Sequence, residues 1–166
     1  MNKLVTATKT KALAAAGNYD AEDTMSESAT AGTLWDFDFG DIPGGSIIIT
    51  KAIAACSVTA LTPRLNLCLF TGTPAGNLND NVANTSPLDA TIVAKGYAGR
   101  LEFPPMSDLG GDSVAIITPG TAGNLPLTVK CATGTGVING IVVTQDAITG
   151  ETAGMNLTII LEGMPL

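Results

Sequence analysis

Trp35-Asp36-Phe37-Asp38-Phe39-Gly40 alternates aromatic residues with acidic or small ones. A period of two places Trp35, Phe37 and Phe39 on one face of a strand and Asp36 and Asp38 on the other, so one face is buried and one is wet. Downstream, the Pro43-Gly44-Gly45 turn leads into Ile47-Ile48-Ile49, the start of a β-branched run that reaches Leu61. Leu65, Leu67 and Leu69 then alternate with Asn66, Cys68 and Phe70. Tyr97 to Phe103, Ser113 to Thr118, Leu125 to Cys131, Val137 to Gln145 and Met155 to Glu162 read as further strands. Turns at Thr118-Pro119-Gly120-Thr121, Gly134-Thr135-Gly136 and Thr149-Gly150 punctuate them. About eight or nine short strands joined by Gly- and Pro-rich turns predict an all-β fold, a jelly-roll-like β-sandwich with a short N-terminal arm. Helix has little room: Thr10 to Ala16 has helical composition, but Gly17-Asn18 stops it. Residues 72–96 form the longest irregular stretch, with space for one helical turn near Pro87 to Val93. A connection of that length in a compact domain serves function or an interface.

A chain of 166 residues suits one domain. The expected division is an arm over 1–17 and a sandwich domain over 18–166. Apolar residues at 45% and charged ones at 14% exclude a disordered chain. Eight Lys and Arg against fifteen Asp and Glu give −7 at pH 7, which argues against a nucleic-acid partner, since phosphate contacts need a basic face. With no histidine, the commonest general base and zinc ligand are missing, and no Ser-His-Asp or Cys-His pairing exists. Asp and Glu alone suffice for glycoside cleavage, but aromatics at 4% are few for lining a sugar cleft. The expectation is a non-enzyme with no cofactor.

Charge is unevenly spread. Residues 1–11 carry Lys3, Lys9 and Lys11 with no acid, whereas 12–50 carry Asp20, Glu22, Asp23, Glu27, Asp36, Asp38 and Asp41 with no base. The lysines read either as an arm that pairs with an acidic neighbour or as a solvated tail. Lys3, Lys9, Lys11, Trp35, Asp36 and Asp38 are accordingly the candidate partner contacts. Asp36, Asp38 and Asp41 could jointly hold calcium, but the first two also lie where polar residues of an alternating strand must go, and no metal is expected. Asn77-Leu78-Asn79-Asp80-Asn81 resembles a cation loop and equally an ordinary Asx turn. Cys56, Cys68 and Cys131 cannot pair completely; Cys56 and Cys68 sit inside apolar runs as small hydrophobes, the alternative being one bridge or a reactive thiol, and this usage fits synthesis in a reducing cytoplasm. Lys9 and Lys11 interrupt any secretory apolar segment, and no run of 18 apolar residues occurs, so no membrane partner is expected.

Tyr19-Asp20-Ala21-Glu22-Asp23, Ser28-Ala29-Thr30-Ala31-Gly32-Thr33, Gly44-Gly45-Ser46, Leu61-Thr62-Pro63-Arg64-Leu65, Asn124-Leu125-Pro126-Leu127 and Lys130-Cys131-Ala132, taken together, resemble tailed-bacteriophage head decoration (auxiliary or cement) proteins. The likeness spans roughly residues 18–162 and leaves out the first 17. It implies a virion structural protein, made in the host cytoplasm and bound to the outer capsid surface. Its implied partners are the major capsid protein and other copies of itself, most simply as a homotrimer. An acidic chain fits the outside of a shell better than a DNA-filled lumen. The alternative is a carbohydrate- or receptor-binding module of a head fibre or tail.

Overall fold

The computed structural model describes residues 3–14, 18–42, 45–57, 62–85, 96–120, 123–149 and 154–166. Among them there is no helix, and twelve strands form two antiparallel sheets. The first sheet runs β1 (Val5–Ala12), β12 (Asn156–Pro165), β4 (Ser46–Cys56), β9 (Ser113–Ile117), β8 (Ser107–Asp108), with β10 (Leu127–Lys130) beside the first half of β4. The second runs β6 (Val82–Ala83), β2 (Asp23–Thr24), β11 (Val137–Thr144), β5 (Leu65–Phe70), β7 (Tyr97–Phe103). In this sheet β3 (Trp35–Asp38) pairs the opening half of β11. The inner faces meet in one core, a β-sandwich in which Trp35, Phe37 and Phe103 of the second sheet are fully buried with Ile47, Ile49 and Leu157 of the first.

Alternation accounts for most of this. β3 is buried at Trp35 and Phe37 and exposed at Asp36 and Asp38, and β5 buries Leu65, Leu67 and Leu69. In β4 the inward set changes phase, from Ile47 and Ile49 to Ala52, Ala54 and Cys56. The cause is a bulge: Lys51 faces Glu162 and Ile49 faces Gly163, so Thr50 is an extra residue. Only glycine fits opposite it, because a Cβ on Gly163 would lie 2.4 Å from the Ile48 carbonyl oxygen. The β-branched run expected to reach Leu61 ends as a strand at Cys56.

The segment expected to be an arm departs from its reading. Over Val5–Ala12 it is β1, paired along its whole length with β12. The sandwich therefore includes residues 5–12, and Thr10–Ala12 is strand, not helix. Helical composition here yields to ladder pairing: Thr6, Thr8 and Thr10 point outward, while Val5, Ala7 and Leu13 pack on the core. The two-residue strands β2, β6 and β8 are too short to leave a periodic signal. Within 72–96 the structure shows β6 and otherwise irregular chain; the helical turn expected near Pro87 to Val93 lies outside the described residues.

Candidate functional site

The alternation of β1 turns Lys9 and Lys11 toward the margin where β1, at the edge of the first sheet, faces β3. Lys9 pairs with Asp36 across that margin, Nζ to Oδ1 2.5 Å, with both side chains partly exposed. Lys11 goes deeper: only 3% of its side chain is exposed. Its ammonium donates to Glu27 Oε2 at 2.5 Å, to the Thr33 carbonyl at 2.6 Å and to Thr33 Oγ1 at 3.0 Å, and it lies 5.4 Å from the Trp35 ring centre. Glu27 also accepts from Thr33 N–H, Thr33 Oγ1 and Ser26 Oγ.

Burial works to raise the Glu27 carboxyl, but the bonds from Lys11, Thr33 and Ser26 outweigh it and hold the group at about 2. For Lys11 the balance falls the other way: burial lowers its affinity for a proton despite Glu27. The donors converging on Glu27 keep its carboxylate ionised at neutral pH. The clasp thus ties β1 to the chain between β2 and β3. Trp35 is 1% exposed and its indole N–H donates to the Met25 carbonyl at 2.9 Å. Lys11 and Trp35, expected to meet a partner, are interior residues of this fold. Lys3, Asp36 and Asp38 are at the surface; Asp38 accepts from the Gly40 N–H at 2.8 Å.

The Asn77–Asn81 string is an internal staple. Asp80, 2% exposed, accepts from the Tyr19 hydroxyl at 2.8 and 2.9 Å and from the Ser26 N–H at 2.6 Å. Asn79 Oδ1 accepts from Gly32 N–H, and Asn77 Oδ1 accepts from Asn79 N–H. Among the described residues no three Cys, Asp or Glu side chains are grouped to hold a metal ion.

A groove of about 490 Å³ lies on the outer face of the second sheet. Its floor is Ile141 and Val143 of β11 with Cys68 and Phe70 of β5. The Tyr97 ring leans on Phe70, centroids 5.3 Å apart and planes at 54°. Asn66 and Gln145 share a hydrogen bond of 2.6 Å along one side, and Arg100, which donates to Glu102, stands on the other. Burial pushes the Cys68 thiol up, Arg100 opposing, and burial likewise pushes up the Tyr97 phenol. Both groups stay protonated at neutral pH, so the groove presents an apolar floor with amide and charged edges, suited to binding.

The sequence reading did not single out this groove. Its signals were faint: Phe70 occupies a polar position of the Leu65–Phe70 alternation, and Ile141-Val142-Val143 does not alternate at all. Both anomalies mark a sheet face that is itself covered, and Leu34 and Leu78 pack there. No protein-family model matches the chain, and no curated protein matches it significantly.

Proposed function

We propose that this chain is a virion structural protein that binds the outer surface of an assembled tailed-phage head and braces adjacent major capsid protein subunits. In this reading it acts as a homo-oligomer, most simply a trimer, and performs no catalysis. The observation that carries the reading is the internal use of the chain's chemically versatile side chains. Lys11, Glu27, Tyr19 and Asp80 all bind one another or neighbouring backbone to lock segments of the sandwich together. What remains outside is an acidic, sheet-built exterior. The resemblance over residues 18–162 points the same way.

A protein that binds the assembled lattice and not free subunits stabilises the lattice by mass action. Copies in excess over their dissociation constant therefore raise the temperature at which heads disrupt. The test is sedimentation of purified heads with added protein: saturable co-sedimentation and a raised disruption temperature are expected, and protein left in the supernatant refutes the proposal. Removing residues 1–17 is not a usable probe of contact, because it strips β1 from the sandwich. A second reading, a carbohydrate- or receptor-binding module, draws on the groove, where Tyr97 offers a ring at one end and Asn66 and Gln145 offer amides at the other. Glycan binding abolished by Tyr97→Ala would favour it.

A further inference from the structure

Among the described residues, the exposed large hydrophobic side chains are Leu4, Leu109, Ile116, Met164 and Leu166. All five belong to the first sheet or its continuations. Ile116 is in β9 and Met164 in β12; Leu4 precedes β1, and Leu109 lies in the turn between β8 and β9. Leu166 extends β12, its N–H donating to the Ser46 carbonyl at 2.8 Å. The pairing register assembles the outward face. Thr8, Ile160, Ile53 and Ile116 form one row across β1, β12, β4 and β9, and Met164 and Ile48 form another. Facing residues share a side of the sheet, and the intervening Ile49, Ala52 and Ile159 are buried inward.

We propose that this outer face is where a second copy of the chain packs, sheet against sheet. Three features select that occupant. First, the face over β1, β12, β4 and β9 is nearly neutral: its charges are the Lys51–Glu162 pair, 3.1 Å apart, and Lys130 at the β10 corner, while the exposed Asp108 and Asp112 lie at its rim, around the β8–β9 turn. The chain as a whole carries −7. Two copies repel over most orientations, and this face lets them meet without like charges opposed. Second, four strands about 4.8 Å apart and from five to eleven residues long present roughly 550 Å², about two-thirds of the ~800 Å² per partner of a standard interface. Third, the surface is rich in Ile and Thr, the composition of sheets that stack about 10 Å apart. On the second sheet's outer face Leu34, Leu78 and Tyr97 pack against the cluster of Phe70, Ile141 and Val143, which leaves a groove there and no extended apolar sheet surface. The inference rests on the self-association in the proposed function and names the surface for it; the same face packed on itself is a two-fold contact, so it gives a dimer in place of a trimer.

The test is the solution mass of the full chain by light scattering, between about 1 and 100 μM. The wild type should run as a multiple of 16.8 kDa. Ile116→Glu combined with Met164→Glu should weaken self-association by at least about tenfold. Both residues are exposed, at 48% and 38%, so far-UV circular dichroism should be unchanged. Thr8→Glu, a milder exposed change in the same row, should weaken association in the same direction if the double variant folds poorly. A wild type at 16.8 kDa throughout, or folded variants with wild-type mass, overturns the inference. A monomeric wild type whose attachment to heads is lost in the variants also overturns it, and gives the face to the capsid. An oligomeric wild type with monomeric variants, but with no attachment to heads, upholds the inference and refutes the virion reading.

Discussion

Replacing Lys11 by methionine removes an ammonium whose side chain is 3% exposed and whose nitrogen lies 5.4 Å from the Trp35 ring centre. Methionine fills a similar volume, so the loss is mainly electrostatic. Breaking a buried pair by deleting one partner costs about 3–5 kcal/mol. Here Glu27 keeps 31% of its side chain in water and retains the bonds from Thr33 and Ser26, which lowers the expected cost to about 2–3 kcal/mol. For a domain of this size that is a fall in Tm of roughly 5–10 °C. Removing the facing charge as well, in Lys11→Met with Glu27→Gln, should recover at least half of the loss, because the stranded carboxylate is then gone.

Acid provides an independent reading of the same clasp. The Glu27 carboxyl is held at about 2 in the fold against 4.5 in the free side chain. Its contribution is therefore complete above the unfolded value, declines as pH falls below 4.5, and is exhausted near 2. After discounting for its exposure, about 1–2 kcal/mol of stability should vanish over that window in the wild type. Glu27→Gln should lack that part of the acid dependence. Urea unfolding at several pH values measures both effects. A Lys11→Met variant within about 0.5 kcal/mol of wild type, or a Glu27→Gln variant with an unaltered acid profile, refutes the account of the clasp.

Other outcomes follow from single contacts. Asp80→Asn should cost about 2–3 kcal/mol in chemical denaturation and speed proteolysis within residues 72–85, since the carboxylate receives Tyr19 and Ser26 together. Thr24→Val should be neutral or stabilising by up to about 1 kcal/mol, because the buried Thr24 hydroxyl has no hydrogen-bond partner among the described residues. Gly32→Ala should cost more than about 2 kcal/mol, as a Cβ there would sit 1.7 Å from the Leu78 carbonyl oxygen and push the two loops apart. With Cys56 and Cys131 buried and the Cys68 thiol pushed up by burial, a thiol reagent at pH 7.5 should titrate fast only after denaturation; rapid labelling of native protein would contradict this.

Fold class was legible in the residues because strand alternation is a local property. Leu65–Phe70 and Tyr97–Phe103 are strands over the very residues that the pattern marks, and the buried faces of β3 and β5 are those it selects. β1 was illegible for a physical reason. Its inward positions include Lys9 and Lys11, and a lysine on a core face contradicts alternation unless a distant carboxylate, here Asp36 or Glu27, stands at the margin of the sandwich to receive it. The same limit hid the staple at Asp80, whose donors Tyr19 and Ser26 lie more than fifty residues away in the chain. Periodicity assigns each residue to one of two faces, but it is silent on whether an outward face meets water, a loop or another sheet. The amino-acid sequence alone determined two-faced strands and a net acidic chain. Only the tertiary structure decided that Leu34 and Leu78 pack against the outer cluster of one sheet beside a groove while Ile116 and Met164 stand exposed on the other, because that depends on where segments remote in sequence are brought to pack.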